Sequence, residues 1–347
     1  RVASLNHNRT KWQNPSHSTF MLVGGLTLLA AALRFALIGE KTVWLNEAFS
    51  IWVARHDLWE MWGWLVRIDQ HPPLYYTLLH GWIALFGDLQ GAVRMLSALC
   101  SVLAVPLFYA AIQRLIDRPT GLLAALLLAL SPFHVRFAQE ARMYGLLTLG
   151  VAAALYCAVV ILNAEARRRR GAEGEGDVEG ASRFAWWGLA ISQAAVMLTH
   201  NTAAVYFPLA LNLAVLGMFL NAKMQRGKGA EKILTAETQR RRDAENRRIR
   251  GNPSNPRHPR SIFSSGFLRR WLLFQGVALL LWTPWAWPFV VQTVGVDRQF
   301  WILPPTLGTV WDTFRNFNFA FLPGDLPLQP LWMAVYGGLA VWGGFRL

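Results

Sequence analysis

Cysteine is scarce in this sequence of 347 residues, and charged side chains make up only 16% of it. The two cysteines, Cys100 and Cys157, both lie in apolar runs, so neither a disulfide framework nor a cysteine metal motif is present. Hydrophobic residues make up 54% of the chain and form long runs, and the run 143–162 has no charge and no polar stripe. A large soluble helical protein needs a polar face on its helices, so this pattern excludes that class.

Eight apolar runs are candidates for membrane spans, because a helix needs about 20 residues to cross a bilayer. They cover residues 20–38, 95–113, 119–131, 143–162, 185–199, 202–220, 271–291 and 330–345. A ninth run, 72–86, is short, and we expect it to lie along the interface. The sequence therefore predicts an all-α polytopic integral membrane protein. It has about eight transmembrane helices, with interfacial helices in a first outer loop at 40–93.

The basic residues, which give the chain a net charge of +14, are unevenly distributed. With 72–86 at the interface, 25 of the 34 Lys and Arg fall in segments on one side of the membrane. The positive-inside rule assigns that side to the cytoplasm, together with both termini. This distribution accounts for the charge without a nucleic-acid partner, the alternative for so basic a chain.

The whole chain, residues 1–347, is expected to form one transmembrane domain. The basic stretch 221–270 has no apolar periodicity and predicts a disordered cytoplasmic insertion. The chain stops one residue after Arg346 without a soluble domain, so we expect it to be truncated at the C-terminus. A polytopic transporter remains an alternative class, although it would need ionisable residues at mid-membrane, and the spans here keep theirs near the ends.

Polar side chains gather at the predicted outer ends of the spans. Charged groups there cost free energy unless they line a cavity or bind something. Asn46 and Glu47 follow the first span directly, and Asp69 and His71 precede a pair of prolines that starts a helix. Carboxylates supply the base in most sugar-transfer chemistry, so Glu47 and Asp69 are candidate bases. The alternatives are a solvated carboxylate at 47 and a helix cap at 69.

Three arginines, Arg34, Arg94 and Arg142, lie at the predicted outer ends of different spans. Arginine suits bidentate phosphate binding, so the three together predict a site for an anionic headgroup. The alternative for each is an arginine that snorkels to the interface. Glu140 is placed to pair with or orient Arg142, and His200 lies in a tight outer turn between two spans.

Taken together, these residues resemble the bacterial membrane glycosyltransferases of the protein-mannosyltransferase type, glycosyltransferase family 39, and the related aminoarabinose transferases. The resemblance covers about residues 20–220. It rests on Arg34, Trp44 to Ser50, Asp69 to Tyr76, Phe86 to Asp88, Arg94 to Leu99, Ser131 to Phe133, Gln139 to Tyr144, and Thr199 with His200.

The resemblance implies the glycosyltransferase C fold and a polyprenyl-phosphate-linked sugar donor. The sugar moves, with inversion, to a lipid, glycan or protein acceptor on the outer side of the bacterial plasma membrane. The implied roles are catalysis for Asn46, Glu47 and Asp69, donor-phosphate binding for Arg34, Arg94 and Arg142, and substrate contacts for His71, Glu140, Tyr144 and His200. We expect no cofactor, no metal and no nucleic-acid partner.

One position departs from the family pattern. The family usually has an Asp-Glu pair where this chain has Asn46 and Glu47. Asparagine cannot act as a base, so either Glu47 or Asp69 takes that role or the chain is an inactive member that serves as a partner or scaffold.

Overall fold

The structure, a computed structural model, describes residues 17–69, 71–169, 175–221, 265–299, 306–319 and part of 330–341. The described residues contain helices and no strand, which confirms the all-α polytopic architecture. The helices are α1 (His17–Phe35), α2 (Leu45–Ala54), α3 (Leu58–Ile68), α4 (Leu74–Phe86), α5 (Gln90–Leu115), α6 (Arg118–Leu130), α7 (Pro132–Ala138), α8 (Tyr144–Arg169), α9 (Glu175–Met197), α10 (Asn201–Asn221), α11 (Ser265–Trp282), α12 (Ala286–Gln299) and α13 (Leu307–Phe319).

Fewer of the described helices can cross a membrane than the eight that were expected. Five segments are long and apolar enough: α1, α5, α8, α10 and Gly266–Gly295, which joins α11 and α12. Helices α6 and α7 meet at a bend of 55° and add a sixth span if they are taken as one broken helix. The run 185–199 lies in α9, which is not among these segments. The run 330–345 falls largely outside the described residues.

Helix α5 occupies the centre of the bundle and packs against α1, α6 and α8, while α8 packs in turn against α9. The approach of α5 to α8 requires a glycine, because a Cβ on Gly145 would lie 2.2 Å from the carbonyl oxygen of Ser97. The Ser97 hydroxyl also donates to the carbonyl oxygen of Arg142 at 2.7 Å. The turn 139–143, which leads into α8, is therefore fixed against α5.

Three short helices, α2, α3 and α4, fill the connection between α1 and α5 where the first outer loop was predicted. Asp57 caps α3 by accepting from the backbone of Trp59 and Glu60, and Gly87 ends α4 with a φ of +76° that favours glycine. With 13 residues α4 is about 20 Å long, too short to cross a hydrocarbon layer of about 30 Å. Its predicted place at the interface stays a prediction.

The short helices are seated on the bundle by a buried apolar cluster that includes Met61 of α3, Tyr76 and Leu79 of α4, and Met143 beside α8. The predicted insertion 221–270 lies mostly outside the described residues, since α10 ends at Asn221 and α11 begins at Ser265.

Candidate active site

The polar residues singled out in the sequence meet at one end of the bundle. Helix α2 contributes Asn46 and Glu47, α5 contributes Arg94 from its first turn, and the turn 139–143 contributes Glu140 and Arg142. Hydrogen bonds join the three segments directly. Residues 45 positions or more apart in the sequence thus form one site.

A buried ion pair between Glu47 and Arg94 is the centre of this site. The two side chains are 1% and 2% exposed. Nε and Nη2 of Arg94 donate to Oε1 and Oε2 of Glu47, both at 2.8 Å, in the bidentate geometry that gives the strongest such contacts. The backbone N–H of Ala141 donates to the same Oε1 at 2.8 Å. This carboxylate therefore ties α2 to α5 and to the turn 139–143.

The remaining donors of Arg94 are also taken. Nη1 donates to the carbonyl oxygens of Ile38 and Lys41 at 2.9 and 2.8 Å, and Nη2 donates to that of Thr42 at 3.2 Å. With the two bonds to Glu47, all five N–H groups of the guanidinium have protein acceptors. These contacts favour a structural role for Arg94 over the predicted phosphate-binding role.

Arg34 is likewise committed to the protein and is 0% exposed. Its Nε donates to Ser101 Oγ at 2.8 Å, and its Nη atoms donate to three carbonyl oxygens, including that of Leu128 at 3.0 Å. The carbonyl of Leu128 would normally accept from the residue four positions on, which is Pro132 and has no N–H. Arg34 thus satisfies the end of α6 at its break, and this too favours a structural role.

Arg142 is the least satisfied of the three arginines. Its side chain is buried, and its Nη1 lies 3.4 Å from the carbonyl oxygen of Asn46, 3.3 Å from Ser50 Oγ and 3.2 Å from the Tyr76 hydroxyl. These contacts are long for a charged donor. Its buried Nε has no hydrogen-bond acceptor among the residues that the structure describes. Arg142 therefore retains donor capacity inside the site.

A second polar cluster lies near Arg142. Asp69 Oδ1 and His71 Nδ1 are 2.9 Å apart, and the rings of His71 and His200 are 5.2 Å apart. The ring of Tyr144 lies 6.4 Å from that of His200. Burial, with His71 and Arg142 nearby, lowers the pKa of His200 to about 4, so its imidazole is neutral at physiological pH. The structure thus gathers these four predicted residues beside Arg142.

A cleft of about 520 Å³ opens beside the Glu47–Arg94 pair. It is lined by Lys41, Thr42, Trp44, Glu47, Arg94, Pro132, Val135, Arg136, Gln139 and Glu140. The sequence analysis did not identify Lys41, Arg136 or Gln139 as site residues. Lys41 Nζ donates to Gln139 Oε1 at 2.9 Å, and Gln139 Nε2 donates to the carbonyl oxygens of Leu33 and Ala36 at the end of α1. The position of Lys41 just after the first span was the available signal.

Two side chains at this site differ sharply in how they are held. Asn46 is exposed on the first turn of α2, although its carbonyl oxygen contacts Arg142. Glu140 is 12% exposed, with Oε1 3.7 Å from Arg136 Nε and with a buried Oε2 that has no hydrogen-bond partner among the described residues. Burial raises the pKa of Glu140 above the ordinary carboxyl value, and the neighbouring Glu47 adds to the increase. Within the described ranges, no group of three His, Cys, Asp or Glu side chains is arranged to hold a metal ion.

These features define a polytopic helical membrane protein with a buried, charged site at one end of its bundle. Residues 70–171 match the family model of the dolichyl-phosphate-mannose-protein mannosyltransferases. The matched segment runs from α4 to α8 and includes Arg94, Glu140, Arg142 and Tyr144. The match confirms the resemblance seen in the sequence and supports a membrane glycosyltransferase. No curated protein and no solved structure matches the chain.

Proposed function

We propose that this chain transfers a sugar from a polyprenyl-phosphate-linked donor to an acceptor on the outer side of the bacterial plasma membrane, with inversion at the sugar carbon. The observation that carries the proposal is Arg142, a buried guanidinium whose Nε has no acceptor within the described ranges, at the point where the polar segments meet. An arginine in this state is suited to bind an anionic oxygen such as that of a lipid-linked phosphate.

The other two predicted arginines serve this site indirectly in our proposal. Arg94 holds Glu47 and the backbone that follows α1, and Arg34 holds the break between α6 and α7. Lys41 and Arg136 on the wall of the cleft add positive charge near the phosphate. The sugar would lie near Arg142 and the cluster of Asp69, His71, Tyr144 and His200.

The proposal is tested by measuring donor binding and donor consumption separately. The probe is polyprenyl-phosphate [³H]mannose, because the family match names a mannosyl phosphate donor. A charge-assisted hydrogen bond contributes about 1.5–3 kcal/mol, so Arg142→Ala should weaken donor binding about tenfold to a hundredfold. Arg142→Lys should restore it only partly, since lysine lacks the planar fork. The matched control is Arg55→Ala, which removes an exposed arginine paired with Asp88.

The outcomes distinguish the proposal from its alternatives. Binding and consumption by the original chain, with binding lost in Arg142→Ala and kept in Arg55→Ala, support it. If the original chain binds the donor without consuming it, and the Asn46→Asp variant consumes the donor, the original chain is an inactive family member. Absence of binding and consumption with every lipid-linked sugar tried would overturn the proposal and return attention to a transporter or scaffold.

The proposed orientation has its own test. The charge distribution places position 70 outside and position 240 in the cytoplasm. In intact cells, a membrane-impermeant thiol reagent should label Gln70→Cys and spare Arg240→Cys. Labelling of position 240 from outside would reverse the orientation and place the site on the cytoplasmic side.

A further inference from the structure

We infer that Glu140 is the general base that takes the proton from the acceptor hydroxyl, an inference that rests on the proposed glycosyltransferase function. Asn46, which stands where the family that this sequence resembles usually has an aspartate, has no carboxylate. Two other carboxylates were candidates in the sequence. Asp69 contacts His71 at 2.9 Å in the second cluster, and Glu47 is held in the buried ion pair.

The hydrogen bonds of Glu47 and Glu140 separate their chemistry. Glu47 accepts three short bonds, two from Arg94 and one from the N–H of Ala141, each at 2.8 Å. These bonds commit both oxygens of Glu47 to the protein and leave them poorly placed to accept a substrate proton. Glu140 has only the 3.7 Å contact from Arg136 at Oε1, and its Oε2 has no partner in the described part of the chain. Of the two, Glu140 is therefore the carboxylate with an oxygen that no described residue occupies.

The charged groups that face Glu140 come from several elements. Arg136 on α7, Lys41 after α1, and Arg142 in the same turn favour its anionic form. Burial and Glu47 on α2 oppose the anion and raise the pKa of Glu140 overall, and Arg94 on α5 also lies within electrostatic range. A carboxylic acid whose pKa moves up towards the working pH becomes a more effective proton acceptor.

The position of Glu140 also fits the step. Its side chain lines the same cleft as Lys41 and Arg136, and the following residues, Ala141 and Arg142, belong to the site itself. An acceptor hydroxyl in the cleft would therefore be near Glu140, which is two residues from the arginine that holds the donor phosphate in the proposed function. The acceptor oxygen forms a bond to the anomeric carbon as the bond from that carbon to the phosphate oxygen breaks. The electron pair of the broken bond leaves with the polyprenyl phosphate, and the acceptor proton goes to the Glu140 carboxylate.

The experiment replaces this carboxylate with an amide of the same shape. Glu140→Gln should lower the rate of mannose transfer about 10²- to 10⁴-fold, the usual contribution of a general base. Binding of polyprenyl phosphate should stay within about threefold, a change well below the loss expected for a missing phosphate contact. The matched control is Glu165→Gln, a glutamate with the same 12% exposure and an arginine at 3.6 Å, located in α8 away from the cleft. The control should transfer at the original rate.

A second measurement holds even if Glu140→Gln folds poorly. The transfer rate of the original chain should rise with pH over a range displaced above the ordinary carboxyl pKa of 4.5 and then level off, because the base works only when deprotonated. A flat profile in that range, or full transfer by folded Glu140→Gln, would overturn the assignment of Glu140 and leave the proposed function standing. Absence of transfer by the original chain in membranes that contain donor and acceptors would overturn the proposed function, and this inference with it.

Discussion

The replacement Glu47→Gln gives the sharpest test of how the site is built. The substitution keeps the size of the side chain and removes its charge. In the structure the Glu47 carboxylate is 1% exposed and neutralises Arg94, which is 2% exposed. The variant leaves a buried guanidinium without a counter-charge and weakens the bond from the N–H of Ala141. We therefore expect Glu47→Gln to affect stability and not only activity.

The size of the effect follows from the burial of both partners. Breaking a buried ion pair by removing one partner costs about 3–5 kcal/mol, because the other charge remains buried and unpaired. An exposed pair contributes about 0–1 kcal/mol. Glu60 provides the matched control, since its side chain is 53% exposed and its Oε1 lies 4.0 Å from Nε2 of His56. Glu60→Gln should leave stability within about 0.5 kcal/mol of the original chain.

Thermal unfolding in detergent, followed by tryptophan fluorescence, measures the difference. Glu47→Gln should melt well below both the original chain and Glu60→Gln. The double variant Glu47→Gln, Arg94→Gln should be less destabilised than the sum of the two single variants, by about 0.5–3 kcal/mol, because it leaves no lone charge. A melting temperature for Glu47→Gln equal to that of Glu60→Gln would refute the ion pair as the element that holds α2 in place.

Three further predictions concern other parts of the site. Asn46→Asp should change the transfer rate little in the original chain. In the Glu140→Gln background the same substitution should raise the transfer rate about tenfold or more, because it supplies a second base beside Arg142. An unchanged rate in that background would show that position 46 takes no part in the chemistry. Gly145→Ala should lower the melting temperature, because its Cβ would meet a carbonyl oxygen of α5 at 2.2 Å. The control Gly81→Ala, which has open space around a helical backbone, should not lower it. Equal effects of the two substitutions would contradict the close crossing of α5 and α8. Below about pH 6.5 His200 should destabilise the fold progressively down to about pH 4, because the unfolded chain takes up the proton at the ordinary pKa of 6.5 and the folded chain does so only near 4. His200→Gln should lose that part of the pH dependence, and an unchanged dependence would place His200 in a solvated setting.

The membrane helices were predictable because apolar length is written directly in the sequence. The run 143–162 became α8, and the run 95–113 became part of α5. The run 119–131 was ambiguous for a physical reason. It is too short for a span, and the structure continues it past Pro132 as α7 only after a 55° bend. The break depends on Arg34, whose side chain donates to the carbonyl oxygen of Leu128 in place of the N–H that Pro132 lacks. No local sequence pattern links residue 34 to residue 128.

Which side chains lie together is easier to read from the sequence than what each of them does. The sequence predicted the three arginines at the same end of the spans. In the structure Arg94 and Arg142 both contact the segment around Glu47, and Arg34 lies at the break between α6 and α7. Which arginine is free depends on backbone carbonyls, such as those of Ile38 and Lys41, whose direction is set by the turn after α1 and not by the side chains. The orphaned oxygen of Glu140 has the same origin, because its neighbours are fixed by the packing of α7 against α8.

Positions 46 and 47 are neighbours in the chain, yet they differ in what a mutation at each would cost. The carboxylate at 47 accepts three short hydrogen bonds that hold the architecture. The side chain at 46 is exposed, and it is the backbone carbonyl of Asn46 that contacts Ser50 and Arg142. Aspartate and asparagine codons differ by one base. A lineage of such proteins can therefore exchange the two residues at 46 without passing through an unfolded intermediate. The arrangement allows catalytic chemistry to be lost, moved to another carboxylate or regained while the scaffold stays under constant selection for folding.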